Sequence, residues 1–163
     1  MKIYSLFLSL FLLGACSLKD EQVVATNLKT QTLMFSQKQK VDINGTSAIF
    51  TMSYLNPVLD LKSKDDVFTL TITPNTLDIE KLEVFVNNKL ANIELLSAND
   101  ELLKYLISNE FSDYFKISLP SVKSETSLKT IICVNETICF ELNYEKYSKS
   151  LYYRSEDVDI QYN

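Results

Sequence analysis

The segment Val67-Phe68-Thr69-Leu70-Thr71-Ile72-Thr73 alternates strictly between two chemical classes, and no other stretch constrains the fold so tightly. Successive side chains on a strand point to opposite faces, so Phe68, Leu70 and Ile72 share one face while Val67, Thr69, Thr71 and Thr73 share the other. An amphipathic helix would need apolar residues three and four apart, so this segment is a half-buried strand, and Pro74 ends it. A strand with one apolar face must bury that face against a second layer.

The rest of the chain repeats the pattern. Strand-type runs cover Thr30 to Gln37, Val41 to Gly45 and Thr46 to Tyr54, with Asn44-Gly45 as a hairpin signal because both residues tolerate positive φ in a type I′ turn. Leu55-Asn56-Pro57 breaks the third run. Leu82 to Val86 and Leu90 to Leu96 flank Asn87-Asn88-Lys89 as a second hairpin. Tyr114 to Leu119 is a strand stopped by Pro120, and Leu128 to Val134 with Thr137 to Asn143 form a third hairpin. Leu151 to Arg154 and Val158 to Tyr162 supply the last strand material. One helix is expected over Asn99 to Ile107, with Asn99 as N-cap, Asp100 and Glu101 in the first turn, and Leu102, Leu103, Leu106 and Ile107 as its apolar stripe. The fold class is therefore mainly β, a single antiparallel β-sandwich with one short helix.

The N-terminus has a different character. Lys2 precedes a run that is apolar from Ile3 to Leu13 apart from Tyr4, Ser5 and Ser9, and Gly14-Ala15-Cys16 follows before the chain turns polar at Ser17, Lys19, Asp20 and Glu21. This is the layout of a signal peptide, too short for the roughly 20 apolar residues of a membrane span. Leu13-Gly14-Ala15-Cys16 resembles the bacterial lipobox, which implies diacylglycerol on the Cys16 thiol and cleavage ahead of it. The organisation that follows is a signal peptide over 1–15, a lipidated flexible tether over 16–29, and a sandwich domain over 30–163. Several acyl chains hold a protein firmly where one holds it marginally, so the membrane partner is reached through lipid. Ser17 in place of Asp after the cysteine resembles outer-membrane sorting in enteric bacteria, which implies the outer membrane more than the inner.

The strand count resembles the immunoglobulin-like group of sandwiches in variant form, since the group's buried Trp is missing and the two late cysteines are near neighbours in sequence. With its lipobox and the Tyr54-Leu55-Asn56-Pro57 break, the chain is also similar to small bacterial lipoproteins that carry one such domain, a likeness that implies no particular activity.

What is missing narrows the chemistry. The chain has no His and two Gly. Glycine-rich phosphate loops, Ser-His-Asp and Cys-His catalysis and His-ligated zinc are therefore unavailable to it. No cofactor or metal is expected. A net charge of −5 argues against nucleic acid.

Three features remain. Cys133 and Cys139 are the thiols left to pair in an exported chain once Cys16 is acylated. A two-residue turn at Asn135-Glu136 would set them on opposite faces, whereas a three-residue loop over 135–137 places 133 opposite 139 on one face, as a bridge requires. Asp42-Ile43-Asn44-Gly45-Thr46 resembles the extended acceptor sequon of bacterial N-glycosylation, which makes Asn44 a candidate acceptor, although the turn alone also explains Asn-Gly. Tyr144, Tyr147, Tyr152, Tyr153 and Tyr162 crowd the C-terminal twenty residues, and the first four form a candidate binding patch for a protein or glycan. Glu156, Asp157 and Asp159 lack the ligand count of a calcium loop, and Asp65-Asp66 point to opposite faces of a strand. The expectation is a lipid-anchored, non-enzymatic envelope protein with a binding, adhesion or assembly role. The alternative is a small carboxylate-dependent hydrolase of cell-wall or glycan material.

Overall fold

The computed structural model describes residues 17–59 and 64–146, and of 17–22 the backbone alone. It is a β-sandwich of two antiparallel sheets. Helix α1 (Ser17–Met34) leads into β1 (Ser36–Ile43), β2 (Thr46–Tyr54), β3 (Asp65–Thr73), β4 (Leu82–Val86), β5 (Lys89–Leu90) and β6 (Asn92–Leu95). A 3-10 helix (Glu101–Tyr105) precedes β7 (Asp113–Pro120), β8 (Ser127–Val134) and β9 (Ile138–Glu145). The first sheet runs β1-β2-β3-β7-β6 and the second β5-β4-β8-β9.

The alternation in β3 does what its period demands. Phe68, Leu70 and Ile72 are buried with Phe50, Met52 and Ile117 of the same sheet, against Val84, Val86, Leu128, Ile132, Leu142 and Tyr144 of the other. Aromatic edges close the layer, with Phe68 and Tyr144 rings 5.5 Å apart and Phe50 and Phe140 rings 5.1 Å apart, both edge-on. Asn44-Gly45 forms the two-residue turn between β1 and β2, at φ 51° and 82°, with Ile43 paired to Thr46. The break after Tyr54 is built by Asn56, whose side chain donates to Asp65 O at 2.8 Å and accepts from Val67 N at 2.7 Å, which returns the chain along β3.

The structure corrects four details of the sequence reading. Where a polar leader and then a strand from Thr30 were expected, Ser17 to Met34 is one helix, because the run has no Gly or Pro and carries Asp20 in its first turn with Glu21 just after it. Its apolar residues form no stripe: Val23, Val24 and Met34 are exposed while Thr32 is buried. The second hairpin is real only as far as Leu90. At the small, buried Ala91 the chain leaves the second sheet, and β6 pairs with β7 in the first.

The expected α-helix at Asn99 to Ile107 is a 3-10 helix of five residues, capped by Asp100, whose side chain accepts from Leu102 N, rather than by Asn99. So short a segment closes i to i+3 bonds more readily than a full α-turn. The fourth correction concerns Tyr144, placed at the surface by the sequence reading and found in the core.

Candidate functional site

The register of the third hairpin puts Cys133 opposite Cys139, with Val134 paired to Ile138 across the loop 135–137. The Cα atoms are 4.1 Å apart and the sulfurs lie at disulfide distance on the outward face of the second sheet. Asn135 and Glu136 take φ of 51° and 59° in this loop. The Asn135 amide then clamps the neighbouring segment, accepting from Glu80 N and Lys81 N and donating to Asp78 O. The Lys81 ammonium, hydrogen-bonded to Glu136, holds that carboxyl below its ordinary range. Asn44 is exposed at the tip of the first turn. Cys16, Tyr147, Tyr152 and Tyr153 lie outside the described residues, as do Glu156, Asp157 and Asp159.

Tyr144 does not belong to a surface patch. It is 6 % exposed and its hydroxyl donates to Met52 O at 2.7 Å, tying the two sheets together. Burial pushes its phenol well above the ordinary tyrosine range. Beside it, the Gln37 side chain of β1 donates to Asn143 O and accepts from Asn143 N, as a backbone neighbour would, and so closes the seam between β1 and β9.

Two polar constellations emerge that the sequence reading did not name. The first is buried. Asp66 Oδ2 lies 2.7 Å from Lys146 Nζ, and Asp66 Oδ1 accepts from the Tyr54 hydroxyl at 2.9 Å and the Ser121 hydroxyl at 3.1 Å. Lys146 also donates to Ser121 Oγ and Val122 O. Every charge here is matched and the pair is sealed from solvent, at 1 % and 5 % side-chain exposure for Asp66 and Lys146. Ser121 is half-buried at the edge of this pair, and its hydroxyl is committed to Asp66 and Lys146, so the arrangement acts as a lock between the elements it joins.

The second constellation is open. The outward face of the first sheet carries hydroxyls in cross-strand rows: Ser36, Ser53 and Thr69 in one, Lys38, Thr51 and Thr71 in the next. Over this face lie the C-terminal half of α1 and the chain from Tyr105 to Asn109, leaving a cleft of about 250 Å³. Ser36 donates to Thr32 O and bonds Ser53 at 2.7 Å, while Thr73 bonds Ser112 at 2.6 Å and Ser112 donates to Asn109 Oδ1 at 3.0 Å. Those hydroxyls are consumed by the fold. Thr51 and Thr71, cross-strand neighbours between them, make no such side-chain bond among the described residues and are half-exposed to the cleft. Lys38, opposite Thr51, and Lys29 from α1 bring two ammonium groups that have no ion-pair partner among the described residues. Tyr105, Leu106 and Ile107 supply an apolar side wall. The alternation of β3 exposes these threonines in the sequence, but nothing in the polar, stripe-free segment before β1 signals the helix that roofs them.

No family model, characterised protein or solved structure matches this chain.

Proposed function

We propose that this is a lipid-anchored protein of the bacterial cell envelope, processed at Cys16, whose immunoglobulin-like sandwich has a non-catalytic binding, adhesion or assembly role. The observation that carries the anchor is Leu13-Gly14-Ala15-Cys16 closing a short apolar run that follows Lys2. No described helix is long and apolar enough to cross a membrane, and lipid would hold this chain without one. The outer membrane is the favoured location, with a protein or glycan as partner and no nucleic acid.

The strand order supports the immunoglobulin-like part of the reading. With β1 set aside as an added edge strand, β2-β3-β7-β6 and β5-β4-β8-β9 read as the orders A-B-E-D and C′-C-F-G of that group. The cystine then staples the F–G hairpin instead of joining the sheets. The open cleft, with donors, acceptors and an apolar wall but no pair of facing carboxylates, favours binding over hydrolysis. Asp66, the buried carboxylate among the described residues, is neutralised by Lys146, which is a poor arrangement for a general acid or base.

Metabolic labelling with an alkyne fatty acid tests the anchor. The chain takes up label and partitions with membranes, and Cys16→Ala loses both properties. A Cys16→Ala chain that stays labelled, or a mature N-terminus elsewhere by intact mass, would overturn the proposal.

A further inference from the structure

We propose that the hydroxyl-floored cleft between α1 and the first sheet is a binding site for an acidic sugar unit, a hexuronate or a comparable anionic saccharide. The inference rests on the envelope-binding reading and names its ligand.

A helix laid on a sheet ordinarily buries apolar side chains on both sides of the contact. Here the sheet contributes Ser53 and Thr69, 3 % and 1 % exposed, and the helix contributes Thr32 at 2 %, while its Val23, Val24 and Met34 face outward. Hydrophobic packing does not account for so polar an interface. Much of its hydrogen bonding is closed internally, through Ser36 with Ser53 and Thr73 with Ser112, and that closure isolates Thr51 and Thr71 as the pair left with capacity to donate and accept. Buried beside them on the same face, Thr69 Oγ1 has no hydrogen-bond partner among the described residues.

The row Lys38, Thr51, Thr71 crosses three strands, with neighbouring side chains about 5 Å apart. It therefore presents one ammonium and two amphoteric hydroxyls in a line. A polyhydroxylated ring answers hydroxyls with hydroxyls, a carboxylate answers Lys38 and Lys29, and the C–H face of the ring suits the wall of Tyr105, Leu106 and Ile107. Lys38 and Lys29 share the lack of an ion-pair partner among the described residues with Lys40, Lys64, Lys104 and Lys123, and of these six only Lys38 and Lys29 line the cleft. At about 250 Å³ the cleft lies below the range of drug-sized pockets and suits a single ring.

The test uses the full chain in detergent micelles with methyl-labelled threonine, titrated by NMR with glucuronate and with glucose. Glucuronate shifts the Thr51 and Thr71 methyls and binds about threefold more tightly than glucose, the margin of a partly exposed charge pair. Thr51→Val with Thr71→Val keeps β-branched side chains and weakens glucuronate about tenfold. Lys38→Gln, at an exposed position, erases the preference over glucose and decides the matter should the double valine variant fail to fold. Absence of methyl shifts at Thr51 and Thr71, or equal binding of the two sugars by the unmodified chain, would overturn the proposal. A chain that takes up fatty acid yet ignores glucuronate overturns this site alone. One that binds glucuronate without taking up fatty acid keeps the site and overturns the anchor.

Discussion

Lys146 and Asp66 are eighty residues apart in sequence, yet Nζ and Oδ2 meet at 2.7 Å inside the sandwich, where β9 runs out and β3 begins. Tyr54, Ser121 and Val122 fill the remaining hydrogen-bonding capacity of the pair. Water screening is absent there, so the attraction is strong while it is paired and costly once it is not.

Removing one partner is therefore far worse than removing both. Lys146→Met leaves a bare carboxylate and Asp66→Asn a bare ammonium, each expected to destabilise the domain by about 3–5 kcal/mol. The double variant should recover a large part of that loss, because no buried charge remains. Urea unfolding of all four proteins gives the coupling directly. Single losses below about 1 kcal/mol that simply add would contradict the network.

Tyr144 predicts a pH dependence with a definite sign. Its buried phenol stays protonated in the folded chain above the pH at which an unfolded tyrosine ionises, near 10. The stabilisation is thus complete below about pH 10 and declines as pH rises further, by up to about 1.4 kcal/mol per unit for this one group. Tyr144→Phe loses the bond to Met52 O and should cost about 1–2 kcal/mol near neutrality. The deficit should shrink, or reverse, between about pH 10 and about pH 11, since the variant has no proton to lose there. A deficit of constant size across that interval would argue against burial of the phenol.

The cysteine pair carries a smaller effect. Six positions separate Cys133 from Cys139, so the bridge closes a short loop and constrains the unfolded chain modestly. Cys133→Ser with Cys139→Ser should lose about 2 kcal/mol and leave the register of β8 and β9 in place, because seven other residue pairs also set it. Hydrogen exchange confined to the hairpin tip would agree with that, and exchange spreading through β8 would not. Intact mass of the exported protein, two hydrogens lighter than its reduced form, checks the bond itself.

How far these features could be read beforehand depends on whether their cause is local. The period of two in β3 is a local property, and it placed Phe68, Leu70 and Ile72 in the core correctly. The same period carries Asp66 inward with them, and Leu142, Tyr144 and Lys146 of the last strand and its exit repeat the pattern. Two charges on the core-facing side of two strands were thus visible, but their meeting is a matter of sheet order, which alternation does not encode. The loop 135–137 was legible because only one register lets the cysteines meet on one face. Helix α1 was not, because tertiary contact rather than an apolar stripe holds it, and without the helix the hydroxyl face looked like ordinary solvent-facing strand. The exit of β6 into the other sheet turns on Ala91, whose small size is no signal by itself.

Two buried threonines show how one substitution can carry opposite signs. Thr130 Oγ1 donates to Leu142 O at 2.8 Å and the residue is fully buried, so Thr130→Val gives up a satisfied buried hydrogen bond and should destabilise the domain by about 1 kcal/mol. Thr69 is buried to nearly the same degree, but its hydroxyl has no partner among the described residues, and the folded state already bears the cost of desolvating it. Thr69→Val removes that cost while keeping the branched shape that suits the strand, and should stabilise by about 1 kcal/mol. Thermal unfolding of the two variants measures the contrast. If Thr69→Val destabilises instead, a bound water or ligand satisfies the hydroxyl, and the outer face of the first sheet is wetter than its burial implies.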